Sequence, residues 1–397
     1  MLLPLLFASL ACASGPGSID AKAAANLIKR CEEMKSWSLV VLHDGKEVIN
    51  RNFGHVGACN LMSATKSITG LAIGFLLDEG KLSSVNATVA SVLPEYQGDL
   101  KDKVTILHLL TQSSGIAPYN DPKEDLTNRV PAAIKAPVTT DPGKVFFYNN
   151  RAVDLLSGIV RKLAGEPMDD YVNRKLFKPL GIKEYVWMKD PDGNPHGCAE
   201  LVLRPRDLAK IGQLMLNEGV WEGKRLLSTD FIAKATHQSE SAQPYPDYYG
   251  WLWWISYPWM TMSQRSVESL GGYGVKPASL KKLQPLVNQR WPSVALMWSE
   301  VLATAEPDPA LATVSAHEIQ AIAKDAGDPD GFYAAGWGGQ YLFVLPKEKI
   351  VAVRTIGSGF FSKTNPDNET KEEFYRYAKL QMPDFYRLVK ALVPSRK

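Results

Sequence analysis

The sequence has few of the features that would indicate a metal enzyme or a nucleic-acid-binding protein. Its six histidines are scattered without an HExxH motif, and its four cysteines show no metal-ligand spacing. The formal net charge of +3 comes without a dense basic stretch, so the electrostatic footprint of a nucleic-acid binder is missing. We therefore predict no metal, cofactor or nucleic-acid partner, and expect a small-molecule substrate.

Long hydrophobic runs are also missing after the first residues of the chain. Residues 1–13 are apolar and end in Ala11-Cys12-Ala13, a small-x-small pattern typical of signal-peptide cleavage, although no Lys or Arg precedes them. We expect a signal peptide at 1–13 and a secreted or periplasmic domain at 14–397, with a lipid anchor on Cys12 as the less favoured alternative. No later uncharged stretch reaches membrane-spanning length, so stable membrane insertion is not predicted.

Both ends of the mature chain carry strand patterns. β-rich runs at 38–42 and 47–49 flank Asp44-Gly45, a strong hairpin-turn signal. Runs at 340–345 and 350–354 form a second unit of strand, turn and strand near the other end. This pattern predicts an α/β (α+β) fold in which one antiparallel sheet is built from both termini and flanked by helices.

The middle of the chain is dominated by helical patterns. We assign the sheet part to about 20–60 and 333–397, and a mainly helical inserted lobe to about 80–330. Within the lobe, the segment 276–331 resembles an insertion, for which a peripheral lid or spacer is the expected role.

The first chemical motif is Ser63-Ala64-Thr65-Lys66, an S-x-x-K sequence followed at once by an apolar helical pattern. Residues three apart share a helix face, so the Lys66 amine is expected beside the Ser63 hydroxyl. A serine at a helix N-terminus also gains from the local positive potential. The motif alone is weak, because the chain holds a second match at Ser279-Leu-Lys-Lys282 without supporting partners.

A second motif, Tyr148-Asn149-Asn150, supports Ser63 over Ser279. It stands in the context Pro-Gly-Lys-Val-Phe-Phe-Tyr-Asn-Asn at 142–150 and leads into a helical pattern. Unperturbed Lys and Tyr side chains, with pKa values of about 10.4 and about 10, are mostly protonated at neutral pH. Side by side in a partly buried site, each lowers the apparent pKa of the other, so that the pair can take the serine proton.

In these two motifs the chain resembles the β-lactamase-like serine hydrolases, a family that includes class C β-lactamases, penicillin-binding DD-peptidases and their esterase relatives. Further segments similar to that family cover nearly the whole mature chain: Leu107–Gly115, Leu203–Leu214 and Tyr249–Trp254. The resemblance implies the β-lactamase/transpeptidase-like fold. It also implies that Tyr148 shuttles protons and that Asn150 positions Lys66 and the substrate amide.

The third motif departs from the β-lactamases, since neither Lys-Thr-Gly nor Lys-Ser-Gly occurs. Gly336-Trp337-Gly338-Gly339-Gln340 stands instead before the penultimate strand pattern, similar to 6-aminohexanoate-dimer hydrolases and family VIII-type esterases. By that resemblance the Trp337 N–H, within about one residue, completes an oxyanion hole with the Ser63 N–H. Gly336 and Gly338 are assigned to substrate binding on the same basis.

Losing the lysine of the third motif changes the expected substrate. A cation there would bind the carboxylate of β-lactams and D-Ala-D-Ala peptides, so neutral esters or amides are favoured. Trp253 is a candidate for an apolar wall that binds the acyl group, together with the tryptophans at 251, 254 and 259. Packing in the core is an alternative of at least equal weight for these rings.

The leading interpretation is a serine hydrolase that cleaves small esters or amides through an acyl-enzyme on Ser63. A β-lactamase or DD-peptidase is the enzymatic alternative. A catalytically silent binding relative is the alternative of another class. The sequence does not choose a natural substrate or an oligomeric state.

Overall fold

The computed structural model describes residues 19–54, 57–119, 125–237, 249–291, 294–305, 308–314, 323–326, 328–357 and 385–393. The predicted signal peptide at 1–13 lies outside these residues. The α-helices are α1 (Ala21–Glu33), α2 (Thr65–Asp78), α3 (Val89–Val92), α4 (Ile106–Leu110), α5 (Arg129–Lys135), α6 (Asn150–Ala164), α7 (Met168–Val172), α8 (Pro205–Leu216), α9 (Thr229–Ala235), α10 (Gln264–Ser269), α11 (Pro277–Leu283), α12 (Val294–Ala305) and α13 (Pro309–Thr313). A further helical segment covers 385–390.

The strands form one large sheet and three small ones. They are β1 (Ser38–His43), β2 (Lys46–Asn52), β3 (Cys59–Asn60), β4 (Val186–Trp187), β5 (Leu201–Leu203), β6 (Val220–Trp221), β7 (Lys224–Arg225), β8 (Trp254–Ser256), β9 (Trp259–Met262), β10 (Ala323–Ala326), β11 (Gly331–Gly336), β12 (Gln340–Leu345) and β13 (Ile350–Thr355). The large sheet has the order β2-β1-β13-β12-β11-β8, with every neighbouring pair antiparallel. Both predicted hairpins are present, and β1 from the N-terminal part pairs with β13 from the C-terminal part. The predicted mixed fold with an antiparallel sheet built from both ends is confirmed.

Alternating residues of the central strands enter two different cores, because side chains of a strand point to opposite faces. Leu342 and Val344 face a core shared with helices α2, α6 and α8. Tyr341 and Phe343 face a second core with α1 and residues 385–392. Helices therefore cover both faces of the sheet, which explains why β12 and β13 are buried along their whole length.

The lobe between β2 and β11 contributes more to the sheets than the sequence indicates. Strand β8 comes from within the segment assigned to the helical lobe, yet it pairs with β11 at the edge of the large sheet. Strands β3, β5 and β4 form a separate three-stranded sheet. Strand β8 has three residues and β4 has two, so neither is long enough to show a period in the sequence.

The predicted insertion lies between the neighbouring strands β8 and β11. Its described part contains β9, β10 and helices α10 to α13, and it has a core of its own that includes Met262, Leu283 and Met297. The insertion begins before the predicted residue 276, because β9 at Trp259–Met262 pairs with β10.

Candidate active site

Ser63 lies in a single 3-10 turn, Met62–Ala64, that runs directly into α2. Met62, the residue before it, has a left-handed backbone with φ of +50°, a conformation that costs energy for a side chain of this size. The Asn60 side chain holds this bend, since its Oδ1 accepts a hydrogen bond from the Met62 N–H at 2.8 Å. The sharp turn presents the Ser63 hydroxyl at the start of the helix, partly exposed.

Lys66 lies one helical turn after Ser63, as the spacing predicts. Its side chain is buried, and Nζ donates to Ser63 Oγ at 3.2 Å and to the Cys198 carbonyl oxygen at 2.8 Å. The amine is therefore held between the candidate nucleophile and a backbone carbonyl. Sequence reasoning missed Cys198, because a backbone acceptor more than a hundred residues away leaves no signal in the side-chain pattern.

Tyr148 reaches the same point from the loop before α6. The Asn149 side chain caps this helix by accepting from the Arg151 N–H at 2.9 Å, and it donates to the Ile116 carbonyl at 2.6 Å, so the loop is fixed. The Tyr148 ring lies beside Lys66, with Nζ 4.8 Å from the ring centroid. Among the described residues, neither Ser63 nor Lys66 forms a hydrogen bond to the phenolic oxygen of Tyr148. Lys66 therefore contacts the face of the Tyr148 ring.

Asn150 differs from the role that the resemblance implies. It is the first residue of α6, it is exposed, and within the described part of the chain it makes no hydrogen bond to Lys66. The contact that positions Lys66 comes from Cys198 instead.

The turn at 337–339 lies against the Ser63 turn. The backbone of Gly336, at the end of β11, approaches Leu61 so closely that a Cβ would stand 2.0 Å from the Leu61 carbonyl oxygen. Gly338 follows with φ of +83°, which favours glycine, and Trp337 between them is 39% exposed. Beneath the turn, the buried Arg354 donates to the Gly339 carbonyl oxygen at 3.4 Å.

The assignment of Trp253 to substrate binding is corrected by its position. Its side chain is 0% exposed and packs edge-on against Phe332 in the core, with ring centroids 5.4 Å apart. Trp254 lies at the site instead, because its ring stacks on Tyr148 at 5.7 Å. Of the other tryptophans considered, Trp251 is buried and Trp259 lies exposed in the insertion.

Tyr249 completes the aromatic cluster around Tyr148. It packs edge-on against Trp254 at 4.6 Å and against Tyr148 at 6.4 Å. Burial raises the pKa of Tyr249 well above its ordinary value, and the neighbouring Tyr148 and Tyr333 add to this increase. Tyr249 is therefore a neutral phenol at physiological pH, whereas Tyr148 is half-buried and contacts Lys66.

The second S-x-x-K match has a different environment. Ser279 and Lys282 lie in α11 of the insertion, where Ser279 is buried and Lys282 is exposed. Cys31, Cys59 and Cys198 are buried free thiols. Within the described residues, no group of three or more His, Cys, Asp or Glu is arranged to hold a metal ion. The helices described there include none with the length and apolar character needed to cross a membrane.

The chain belongs to the β-lactamase family: the family model described as Beta-lactamase matches residues 24–379. Protein flp of Staphylococcus aureus strain MRSA252 is 26% identical over 180 residues, which is 40% of this chain and 36% of flp. The 6-aminohexanoate-dimer hydrolase of Paenarthrobacter ureafaciens is 26% identical over 231 residues, which is 52% of this chain and 58% of that enzyme. The matches thus span about a third and just over half of these relatives.

The structure of a class C β-lactamase from Rhodobacter sphaeroides matches with a TM-score of 0.57 at 16% identity, covering 94% of this chain and all of that one (100%). At this identity the likeness shows the fold alone. The family resemblance stated from the motifs is therefore confirmed, and the chain is similar to a relative named as a hydrolase.

Proposed function

We propose that the protein is a serine hydrolase that cleaves small esters or amides through an acyl-enzyme on Ser63. The observation that carries this proposal is the position of Lys66 Nζ, 3.2 Å from Ser63 Oγ and fixed by the Cys198 carbonyl. A serine hydroxyl needs a neighbour that removes its proton, and a buried amine within hydrogen-bond distance meets that requirement.

In the proposed reaction, Ser63 Oγ attacks the substrate carbonyl carbon while its proton passes to the pair formed by Lys66 and Tyr148. The carbonyl oxygen becomes negative and accepts hydrogen bonds from the N–H groups of Ser63 and Trp337. The leaving alcohol or amine takes the proton as its bond to carbon breaks. Water then attacks the acyl-enzyme by the same route and releases the acid. Hydrogen bonds to the phenolic oxygen of Tyr148 are expected to form in the substrate complex, since catalytic contacts often tighten only there.

The substrate proposal is a neutral ester or linear amide with an apolar acyl group. Trp337 takes the place of a cationic third motif, and aromatic rings of Tyr148 and Trp254 stack beside the amine. This motif has no cation that could bind a substrate carboxylate. Contact with the aromatic rings stabilises bound apolar groups instead. The relative named for the hydrolysis of the 6-aminohexanoate dimer supports the inclusion of amides.

A β-lactamase or DD-peptidase is the second candidate, favoured by the match of the Beta-lactamase family model to residues 24–379. The two candidate functions are distinguished by comparing the rates at which the protein hydrolyses nitrocefin and p-nitrophenyl butyrate. We expect kcat/KM for the ester to exceed that for nitrocefin at least about tenfold. Nitrocefin carries a carboxylate, and the missing cation costs it about 1.4 kcal/mol of binding free energy. A preference for nitrocefin would favour the second candidate.

Labelling with a fluorophosphonate probe tests the nucleophile. We expect wild-type protein and the variant Ser279→Ala to be labelled equally, and Ser63→Ala to lose the label. Ser279→Ala is a matched control, because it removes the serine of the other S-x-x-K motif. Folded wild-type protein that takes no label would contradict the proposal and favour a catalytically silent relative.

A further inference from the structure

Lys66 is held toward Ser63 by a carbonyl group from a separate part of the chain. Cys198, which supplies this carbonyl, lies in the connection between β4 and β5, where the backbone has no helix or strand. The position of such a segment depends on side-chain and backbone contacts with its neighbours. The groups that fix Cys198 therefore also fix the amine of Lys66.

Residues of two helices hold this segment. From α2, Thr69 Oγ1 donates to the Gly197 carbonyl at 2.7 Å. From α6, the backbone of Val153 lies so close that a Cβ on Gly197 would stand 2.4 Å from the Val153 carbonyl oxygen. The next residue of α6, Asp154, accepts a hydrogen bond from the Cys198 N–H at 3.1 Å through Oδ1.

Asp154 is itself held in place by neighbouring polar groups. Its side chain is 1% exposed, Oδ2 accepts from the Tyr119 hydroxyl at 2.9 Å, and Arg129 Nη1 lies 3.8 Å away. Burial raises the pKa of the Cys198 thiol to about 12, with Asp154 adding to the increase, so the thiol is neutral. Cys198 thus accepts from Lys66 through its carbonyl and donates to Asp154 through its N–H.

We propose that Asp154 is a positioning residue that fixes the Cys198 carbonyl and, through it, aims the Lys66 amine at Ser63. The proposal rests on the proposed hydrolase function for its kinetic consequence, but the contact between Asp154, Cys198 and Lys66 is independent of that function.

The kinetic arm compares Asp154→Asn and Asp154→Ala with Asp190→Asn. Asp190 is a matched control, since it is another buried aspartate in the same connection and accepts from the Asn194 N–H at 2.9 Å without contacting Cys198. With p-nitrophenyl butyrate we expect kcat to fall about 10²-fold in Asp154→Ala and about tenfold in Asp154→Asn, with KM nearly unchanged, as for a displaced catalytic group. Asp190→Asn is expected to keep wild-type kcat.

The second arm does not depend on activity. The protein is prepared with ¹³Cε-labelled lysine, the Lys66 signal is assigned with Lys66→Arg, and its pH titration is recorded in wild type, Asp154→Asn and Asp190→Asn. The charged or titratable groups around this pair are Tyr148 beside Lys66, and Tyr119, Arg129 and Cys198 beside Asp154. Glu200 lies 3.7 Å from the same Arg129. In Asp154→Asn the Lys66 signal is expected to move and its titration to change, because the carbonyl that holds Nζ is displaced, whereas Asp190→Asn should match wild type.

The two arms separate the two proposals. If wild-type protein does not label at Ser63 but the Lys66 titration shifts only in Asp154→Asn, the hydrolase proposal fails and the positioning role stands. If wild-type protein is active and the Asp154 variants keep both kcat and the Lys66 titration, the positioning role is overturned. Equal losses in Asp154→Asn and Asp190→Asn would likewise overturn it, since they would reflect general destabilisation.

Discussion

At the scale of single residues, Tyr148 and Tyr249 share one aromatic cluster but differ in the chemistry open to them. Because Tyr249 is a neutral buried phenol and Tyr148 contacts Lys66, we assign proton transfer to Tyr148. Tyr148→Phe keeps the ring that stacks on Trp254 but removes the hydroxyl. We expect acylation, measured by the rate of fluorophosphonate labelling, to fall about 10²-fold or more.

Tyr249→Phe is the control for this prediction, because it removes a hydroxyl from the same cluster. Its labelling rate is expected to stay near that of wild type. A Tyr148→Phe variant that labels as fast as Tyr249→Phe would leave Lys66 alone as the base.

Residue patterns predicted the side chains of the site better than its backbone groups. Ser63 and Lys66 are three apart on one helix, so their contact follows from helical geometry. The Cys198 carbonyl has no such local rule, because its position depends on tertiary packing. The assignment of Trp253 rather than Trp254 to substrate binding was wrong for a related reason. Neighbouring residues of a strand point to opposite faces, and composition does not tell which face is buried.

At the scale of elements, the close contact of the β11–β12 turn with the Ser63 turn depends on Gly336. In Gly336→Ala the added methyl would meet the Leu61 carbonyl oxygen at 2.0 Å, so one of the two turns must move. We expect kcat for p-nitrophenyl butyrate to fall about 10²-fold, because the proposed oxyanion donor, the Trp337 N–H, would be displaced. Gly272→Ala, where the added methyl meets nothing within 4 Å, is expected to keep wild-type activity. Equal activity of the two variants would contradict the assignment of this turn to the site.

The end of α2 is tied to the next layer of helices by Glu79. Partial burial opposes its ionisation, but hydrogen bonds from Lys175, Tyr171 and Lys81 outweigh that effect and lower the pKa of Glu79 to about 2. A carboxyl group with a lowered folded-state pKa stabilises the protein above its unfolded pKa, and this contribution is lost as pH falls toward the folded value. The stabilisation should therefore decline between about pH 4.5 and about pH 2.

We expect Glu79→Gln to lower the free energy of unfolding at pH 7 by about 1 kcal/mol, a value that allows for solvent screening. The variant should also lose part of the pH dependence of stability in the acid range, measured by urea unfolding at several pH values. Glu33→Gln, which breaks an exposed pair with Arg30, is the control and should change little. An unchanged acid dependence in Glu79→Gln would refute this role.

Long periodic elements were predictable and short ones were not. Helices α2 and α6 and both terminal hairpins lie where the sequence patterns indicate, because each pattern extends over several helical turns or over two paired strands. Strand β8 has three residues, so its membership of the large sheet follows from pairing with β11 rather than from its own pattern.

At the scale of the whole molecule, the described residues pack into two cores on either face of the large sheet and a third core within the insertion. The third core is separate, so a cavity there should act locally. We expect Leu283→Ala to accelerate hydrogen exchange across 259–314 and to leave both exchange in β12 and the labelling rate of Ser63 unchanged. The local loss is expected to be about 2–5 kcal/mol. Faster exchange throughout the large sheet would show that the insertion is part of one cooperative unit.

Intact-protein and peptide mass spectrometry, on protein quenched in acid milliseconds after mixing with p-nitrophenyl butyrate, tests the covalent intermediate most directly. We predict a butyryl group on the peptide that carries Ser63, formed in the wild type, nearly absent in Tyr148→Phe and abolished in Ser63→Ala. Turnover of the ester with Ser63 unmodified, or a butyryl group on the peptide that carries Ser279, would contradict the account.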